Sequence, residues 1–560
     1  MGLQSEVETR QLEQLIQAVD DLRRRVTALE QRQPAPNNGQ SLLAFPEPAG
    51  SVPVAGLPTG LLPAIGRLLL GIAGAYFLRA ITEAHVLPQL AGTLLGLAYA
   101  AAWLLSFLRY APSDRVIVAL QGLTASLIAG PLVWESTIRF HSLSPGAAAL
   151  ALAIFIIIGQ VVGWRPNLAL IAGVTALAGS VTAVALIVTT LNPVPFAIAV
   201  AVGVVVVELG AGLDRALSMR GIIAIAADFC AFLLIYVRTR PQGLPEGYAA
   251  VPVPAVLGIL IALAVTYVGS IVARTLVRRL PIGWFEIFQV AAAVCIPLTG
   301  VLQITHVLTA PGAACLAAGA ICYLASFTKL LARTVIGRNF HAYAIFGLLL
   351  TSAGILLLFS GAPVAAIGLL LALFATWLGE HGRGNTIRVH GAFYFVASGW
   401  SSGLLAYTSA AMIGSAKQNL SIVAVICAMA IAGGYALTLP HSRVRTWTER
   451  IAPAIIAALL CWTAAGLLSS VLTTPFDAAL SSSIRTALIC SIGVGLAWFG
   501  RRRNVPELIW LLYPWMAFGV VKLLAEDFRQ GSPATLFLSL LLYGGTLIAL
   551  PRLWRRAKSA

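Results

Sequence analysis

The chain has 560 residues, 59% of them hydrophobic and only 10% charged, whereas a soluble domain has about half and about a quarter. So much apolar residue excludes a water-soluble globule. The net charge of +16 would suggest nucleic acid in a soluble protein, but its basic residues sit at the ends of apolar runs, which points to topology and lipid contact and to no nucleic-acid partner.

In residues 1–33, Leu12, Leu15, Val19, Leu22, Val26 and Leu29 follow one another at spacings of 3 and 4, forming one seam of a helix. Valine at two a positions and leucine at each d position favour a parallel two-stranded coil. Arg25 and Glu30 stand where they could pair between chains. Residues 8–30 thus offer a homodimer contact, with an isolated amphipathic helix or a hook for a partner protein as the other readings. Residues 34–60 are Pro-rich and lack a hydrophobic period, the composition of a flexible tether.

From residue 61 to residue 551, apolar runs near the ~20 residues that cross a bilayer recur between short polar or Pro/Gly breaks. The runs do not alternate, so they read as helices and not as barrel strands. The length rule gives about eighteen spans: 61–80, 87–108, 116–137, 146–163, 167–190, 194–212, 221–237, 253–275, 284–304, 312–331, 341–359, 363–378, 389–412, 420–438, 451–472, 485–500, 506–524 and 533–550. The expected fold class is all-α, a polytopic helical membrane protein. The first forty residues are hydrophilic, so the first span is the expected insertion signal.

With the N-terminus in the cytoplasm, the inner loops and the basic tail 552–560 hold 23 Lys and Arg and the outer loops hold eight, including Arg79, Arg485 and Lys522. Both termini are therefore expected to be cytoplasmic, with anionic lipid headgroups at the inner loops. All seven cysteines fall within spans, where they read as small buried apolar residues and not as disulfides.

Polar groups inside the membrane are few. Glu208 and Asp228 lie on consecutive spans joined by a short inner loop, each roughly 6–10 Å deep at about 1.5 Å per residue, and Arg67 lies at a comparable depth in the first span. An unpaired charge there costs at least about 2.5–3.5 kcal/mol, so pairing is expected. The sharp reading is one cluster of Arg67, Glu208 and Asp228 that binds a proton or a polar headgroup. The plain one is a structural salt bridge, or Glu208 reaching toward Arg215 and Arg220.

Gln121, Gln160, Gln289, Gln303 and His306 read as interhelical hydrogen bonders, and Glu286 as interfacial. Pro131 and Pro297 should kink their spans. Ala172 with Ala176, and Gly347 with Gly354, mark close helix packing, while Trp103, Trp134, Trp164, Trp284, Trp510 and Trp515 read as an interfacial belt. No metal-ligand spacing, P-loop, HExxH or GxSxG in a suitable context occurs, and no outer loop offers the acidic cluster of a membrane glycosyltransferase. No cofactor is expected, and the chain is read as no enzyme.

The first two spans run LLPAIGRLLLGIAGAYFLRAITEAHVLPQLAGTLLGLAYAAAWL. With Gly66, Gly71, Gly74, the Phe77–Leu78–Arg79 triplet and a Gly-rich second span, this stretch resembles the first membrane hairpin of a bacterial family of many-spanning proteins of unknown function. The arrangement of coiled-coil-like arm, Pro-rich tether and short-looped helices is similar over the whole chain. The N-terminal arm is shorter than is usual in that family, and the spans are fewer than in many of its members. The resemblance implies a bacterial inner-membrane protein and carries no catalytic residues.

Two functional readings follow. One is a non-enzymatic scaffold or envelope-assembly component whose cytoplasmic coil recruits or dimerises. The other is a transporter or flippase of a lipid-linked or amphipathic substrate that uses Arg67, Glu208 and Asp228.

Overall fold

The computed structural model describes residues 61–106, 115–165, 168–214, 220–327, 337–414, 419–440 and 446–555. The coiled-coil seam from Leu12 to Leu29, the tether 34–60 and the end of the basic tail lie outside these residues. Regular structure among them is helical throughout, with no strand. Thirteen helices are long and apolar enough to cross a membrane, and three shorter apolar helices, Gln89–Leu105, Leu404–Ile413 and Ile422–Thr438, accompany them.

In chain order the helices are α1 (Leu61–Glu83), α2 (Gln89–Leu105), α3 (Arg115–Ile138), α4 (Pro145–Gly163), α5 (Ala169–Thr190), α6 (Pro193–Gly212), α7 (Arg220–Thr239), α8 (Val253–Val272), α9 (Trp284–Thr305), α10 (Thr309–Phe327), α11 (Gly337–Leu358), α12 (Ala362–Leu378), α13 (Asn385–Ser401), α14 (Leu404–Ile413), α15 (Ile422–Thr438), α16 (Ile451–Leu472), α17 (Ala478–Arg502), α18 (Pro506–Lys522) and α19 (Pro533–Arg555). Prolines open α4, α6 and α18, where the missing N–H costs no hydrogen bond. His306 ends α9 in the left-handed region and returns its N–H to Leu302 O, so this exposed histidine is a helix cap and not the interhelical hydrogen bonder expected of it.

Among the described residues each expected span coincides with helix, with two informative departures. The span 389–412 is broken into α13 and α14 at Gly403, whose φ of +76° takes the backbone out of the helical ladder. The span expected at 485–500 begins earlier, at Ala478, with Asp477 capping Leu480 N. Its first turns are the polar run Ser481–Ser482–Ser483 and Arg485, which is buried and not a loop. Similarly, α19 carries the chain through Arg552 and Arg555, which the sequence reading gave to the tail.

Helices pack mainly on those one or two places away in the chain, or three around the broken span. This is the quasi-one-dimensional order of a stacked array, favoured by short loops. Phe196, Tyr267, Leu152 and Ile156 centre the apolar core of α4 to α8, and Phe395, Tyr435, Ile456 and Trp515 that of the C-terminal helices. Trp515 is thus core, its indole Nε1 donating to Ile489 O at 3.0 Å, and is not part of an interfacial belt. Ala172 and Ala176 are buried in the α4–α5–α6 region, and α10 with α11 forms the closest pair. There a Cβ at Gly354 would stand 2.8 Å from Leu316 N and 2.9 Å from Gly312 O, both backbone atoms that cannot move aside cheaply.

Large apolar side chains cover the outside: Leu70 is 72% exposed, Ile225 73% and Trp400 78%. In water such a surface would aggregate, whereas hydrocarbon solvates it at no cost. The chain is a multi-pass membrane protein.

Candidate functional site

Among the described residues three polar assemblies stand out, and one of them lines a cavity. The first lies where α6 turns into α7. Arg220, the first residue of α7, donates from Nε to Glu208 Oε1 at 3.1 Å and from Nη2 to Oε2 at 2.5 Å, a bidentate fork. Its Nη1 reaches Glu286 Oε1 on α9 at 3.0 Å. Arg274, in a π-helical turn that continues α8, meets the same Glu286 oxygen at 3.2 Å and donates to Ala211 O at 2.9 Å. Ser270 donates to Glu208 Oε2 at 2.5 Å, Phe285 lies beneath the Arg220 guanidinium, and Asp214 and Arg278 pair at the rim at 3.2 Å.

Glu208, Arg220, Arg274 and Glu286 are all buried. Two carboxylates and two guanidiniums therefore neutralise one another out of solvent and tie four helices together. Every charge is taken up inside the protein, so the assembly acts as a clamp.

The three candidates from the sequence do not form one cluster. Glu208 is held by Arg220 and Ser270. Asp228, eight residues further along α7 than Arg220, accepts instead from Gln289 Nε2 at 3.3 Å on each oxygen. Arg67 lies on α1, which packs on α2 and α3, and is not among the partners of either acid. Sequence reasoning missed Arg274 and Ser270, and read as interfacial a Glu286 that is buried between Arg220 and Arg274. Counting basic residues as loop markers hid that Arg220 and Arg274 are helical and buried. The one available signal was a Glu and an Arg on either side of a single short turn.

The second assembly joins α17 to α18 and the π-helical turn Leu523–Asp527. Lys522 Nζ donates to Ser482 O at 2.5 Å, Thr486 Oγ1 at 2.8 Å and Asp527 Oδ1 at 2.6 Å. Thr486 donates to the other Asp527 oxygen at 2.6 Å, and Arg485 pairs with Glu526. Arg485 and Lys522, assigned to outer loops by their charge, are in fact buried helical residues. Their partners replace the water that a loop would have supplied. Two cations and two anions again cancel.

The third assembly is different. At the end of the bundle where α1 turns into α2, helices α1, α2 and α3 surround a cavity of about 330 Å³ that is partly open to the outside. Residues at helical spacing line it: Ile72, Ala75, Arg79 and Thr82 on α1; Gln89, Gly92, Thr93 and Gly96 on α2; Leu127, Ile128, Pro131, Glu135 and Ser136 on α3. Ten residues separate Thr82 from Ile72, so the wall runs about 15 Å along α1, a length equal to half of a ~30 Å hydrocarbon core. The deep end is apolar and the mouth polar.

At the mouth Arg79 Nη1 meets Glu135 Oε1 at 2.8 Å and its Nε meets Glu83 Oε1 at 3.1 Å, while Arg139 flanks Glu83 at 3.4 Å. Side-chain exposures of 29% for Arg79 and 20% for Glu135 leave both reachable. Thr93 bridges to Ser136 and Ser142, each at 3.1 Å, and fixes α2 against α3. Gly92 permits the close approach of α2 to α1, since a Cβ there would overlap the Thr82 side chain. Pro131 lies inside α3 on the cavity wall, where a lost backbone bond bends a helix.

Among the described residues no group of three or more His, Cys, Asp or Glu gathers as a metal site would require. Nor does the cavity hold a nucleophile with a paired base. What it offers is an apolar slot under a paired cation and anion, the complement of an amphipathic molecule. No family model, curated protein or solved structure matches the chain.

Proposed function

We propose that the protein is a non-enzymatic component of a bacterial inner membrane that holds an amphipathic, lipid-type molecule in the cavity of α1, α2 and α3. The observation carrying this reading is the cavity itself, apolar at its deep end with Arg79 and Glu135 at its mouth. In this reading α13 and α14 together make one of eighteen spans, and the bias of basic residues supports both termini in the cytoplasm. The hairpin end then faces outward, and the molecule would come from the outer leaflet. The stretch that resembles the bacterial many-spanning family, residues 61–104, supplies two of the three cavity walls, which supports placing the function there. A scaffold role adds naturally, with residues 8–30 gathering copies or partners beneath the membrane.

The transport reading uses the same cavity as a loading site and is favoured by its partial opening. The experiment that tests the proposal is native mass spectrometry of the full chain released from detergent. The wild type should retain one lipid more than Ile72→Trp, which fills the apolar end of the slot. Equal lipid counts would refute it. Transbilayer exchange of a fluorescent lipid in proteoliposomes separates holding from transport, because only a transporter would accelerate it. Sidedness is checked by labelling with a membrane-impermeant maleimide, expected to reach Glu246→Cys from outside and to spare Asn504→Cys.

A further inference from the structure

The charge pattern at the cavity mouth says more than that something amphipathic fits. We infer that the ligand's headgroup is zwitterionic, a phosphate joined to a primary amine, carried by a phospholipid of the outer leaflet. The inference rests on the reading of the cavity as a lipid site and specifies what that site selects.

Among the described residues two charged side chains line the cavity, Arg79 and Glu135, and they face each other at 2.8 Å. A ligand that takes Arg79 must replace Glu135 on it. A phosphate does so well, since a guanidinium fork matches two phosphate oxygens. Glu135 is then left beside Leu132 and Pro131 without its partner. A purely anionic headgroup would leave that carboxylate unpaired and make the mouth net negative, since at the rim Arg139 is already balanced by Glu83. A primary ammonium two or three bonds beyond the phosphate resolves this by donating to Glu135. A quaternary amine offers charge but no N–H, and a neutral polyol leaves the existing pair undisturbed and gains less.

The size agrees. A cavity of about 330 Å³ lies at the small end of the ligand range of about 300–1,000 Å³. It accommodates one headgroup and the upper part of one chain. The second chain stays in the bilayer through the partly open side, where Tyr76, 63% exposed, flanks the entrance. Selection therefore falls on the headgroup.

The test titrates the full chain, in non-ionic detergent, with short-chain phosphatidylethanolamine, phosphatidylcholine and phosphatidylglycerol, counting bound lipid by native mass spectrometry. The expected order is ethanolamine above choline above glycerol. Losing the hydrogen bond to a charged partner should cost about tenfold or more in affinity between the first and the last. Glu135→Gln should bring ethanolamine binding down to the choline level while leaving glycerol binding unchanged or improved. The wild-type lipid series needs no variant, so the inference stays testable even if Glu135→Gln folds poorly.

Equal affinities, or a preference for the glycerol lipid, would overturn the headgroup inference. If Ile72→Trp still removed lipid in that case, the cavity would remain a lipid site. If it removed none, both readings would fall. Water-soluble phosphoethanolamine is expected to compete only far above the lipid's concentration, and competition at equal concentration would overturn the lipid as the source of the headgroup.

Discussion

The clamp around Arg220 and the mouth around Arg79 use the same chemistry, guanidinium against carboxylate, to opposite ends. In the clamp Arg220 touches two acids with all three nitrogens, is 4% exposed, and leaves nothing for a visitor. At the mouth Arg79 also touches two acids, yet it stands at the edge of a cavity and its pairs can be exchanged. The difference lies in what surrounds the ions, namely packed helices in one case and space in the other. A charge inside a membrane protein marks function only when its partner can be replaced.

The comparison is broken most forcefully at the clamp. Arg220→Met should destabilise by about 3–5 kcal/mol, because it strands Glu208 as a buried uncompensated acid and leaves Glu286 with Arg274 alone. A thermal melt in detergent reads this, and an unchanged midpoint would show that the clamp bears no stability. The second network gives the next effect. Lys522→Met should lose several kcal/mol, and the pair Lys522→Met with Asp527→Asn should regain part of it, since the remaining Arg485–Glu526 pair is neutral.

Gly354→Ala sharpens the packing side. Its new methyl meets the backbone of α10, so about 1–3 kcal/mol should be lost, read as a lowered melting midpoint. Glu135→Gln comes last in stability, at about 1 kcal/mol or less for a partly exposed pair, and first in ligand binding. A large fall in the melting midpoint for Glu135→Gln would equate mouth and clamp and remove the distinction between them.

The helical layout was legible from the sequence because it follows from length and apolarity alone: runs such as 253–275 and 451–472 meet helices at nearly the same bounds. What composition could not show was which charges fold inward. Arg485 and Lys522 look like loop markers until Asp527, Glu526 and Thr486 are brought around them from two helices. Glu208 was identifiable as an acid needing a cation, but choosing Arg220 over Arg67 required knowing that α6 and α7 pack together while α1 packs on α2 and α3. The cavity was least visible. Its wall is the ordinary sequence of a Gly-rich hairpin, and only the approach of α3, bringing Pro131 and Glu135, turns that hairpin into an enclosure.

The most direct test of the central claim is a cryo-electron microscopy reconstruction of the full chain in nanodiscs that contain phosphatidylethanolamine. The account predicts elongated non-protein density between α1, α2 and α3, its head against Arg79 and Glu135 and its tail along Ile72 and Leu127, with the Arg220 clamp closed. A cavity filled by protein side chains, or lipid density at an opened Glu208–Arg220 pair instead, would contradict it.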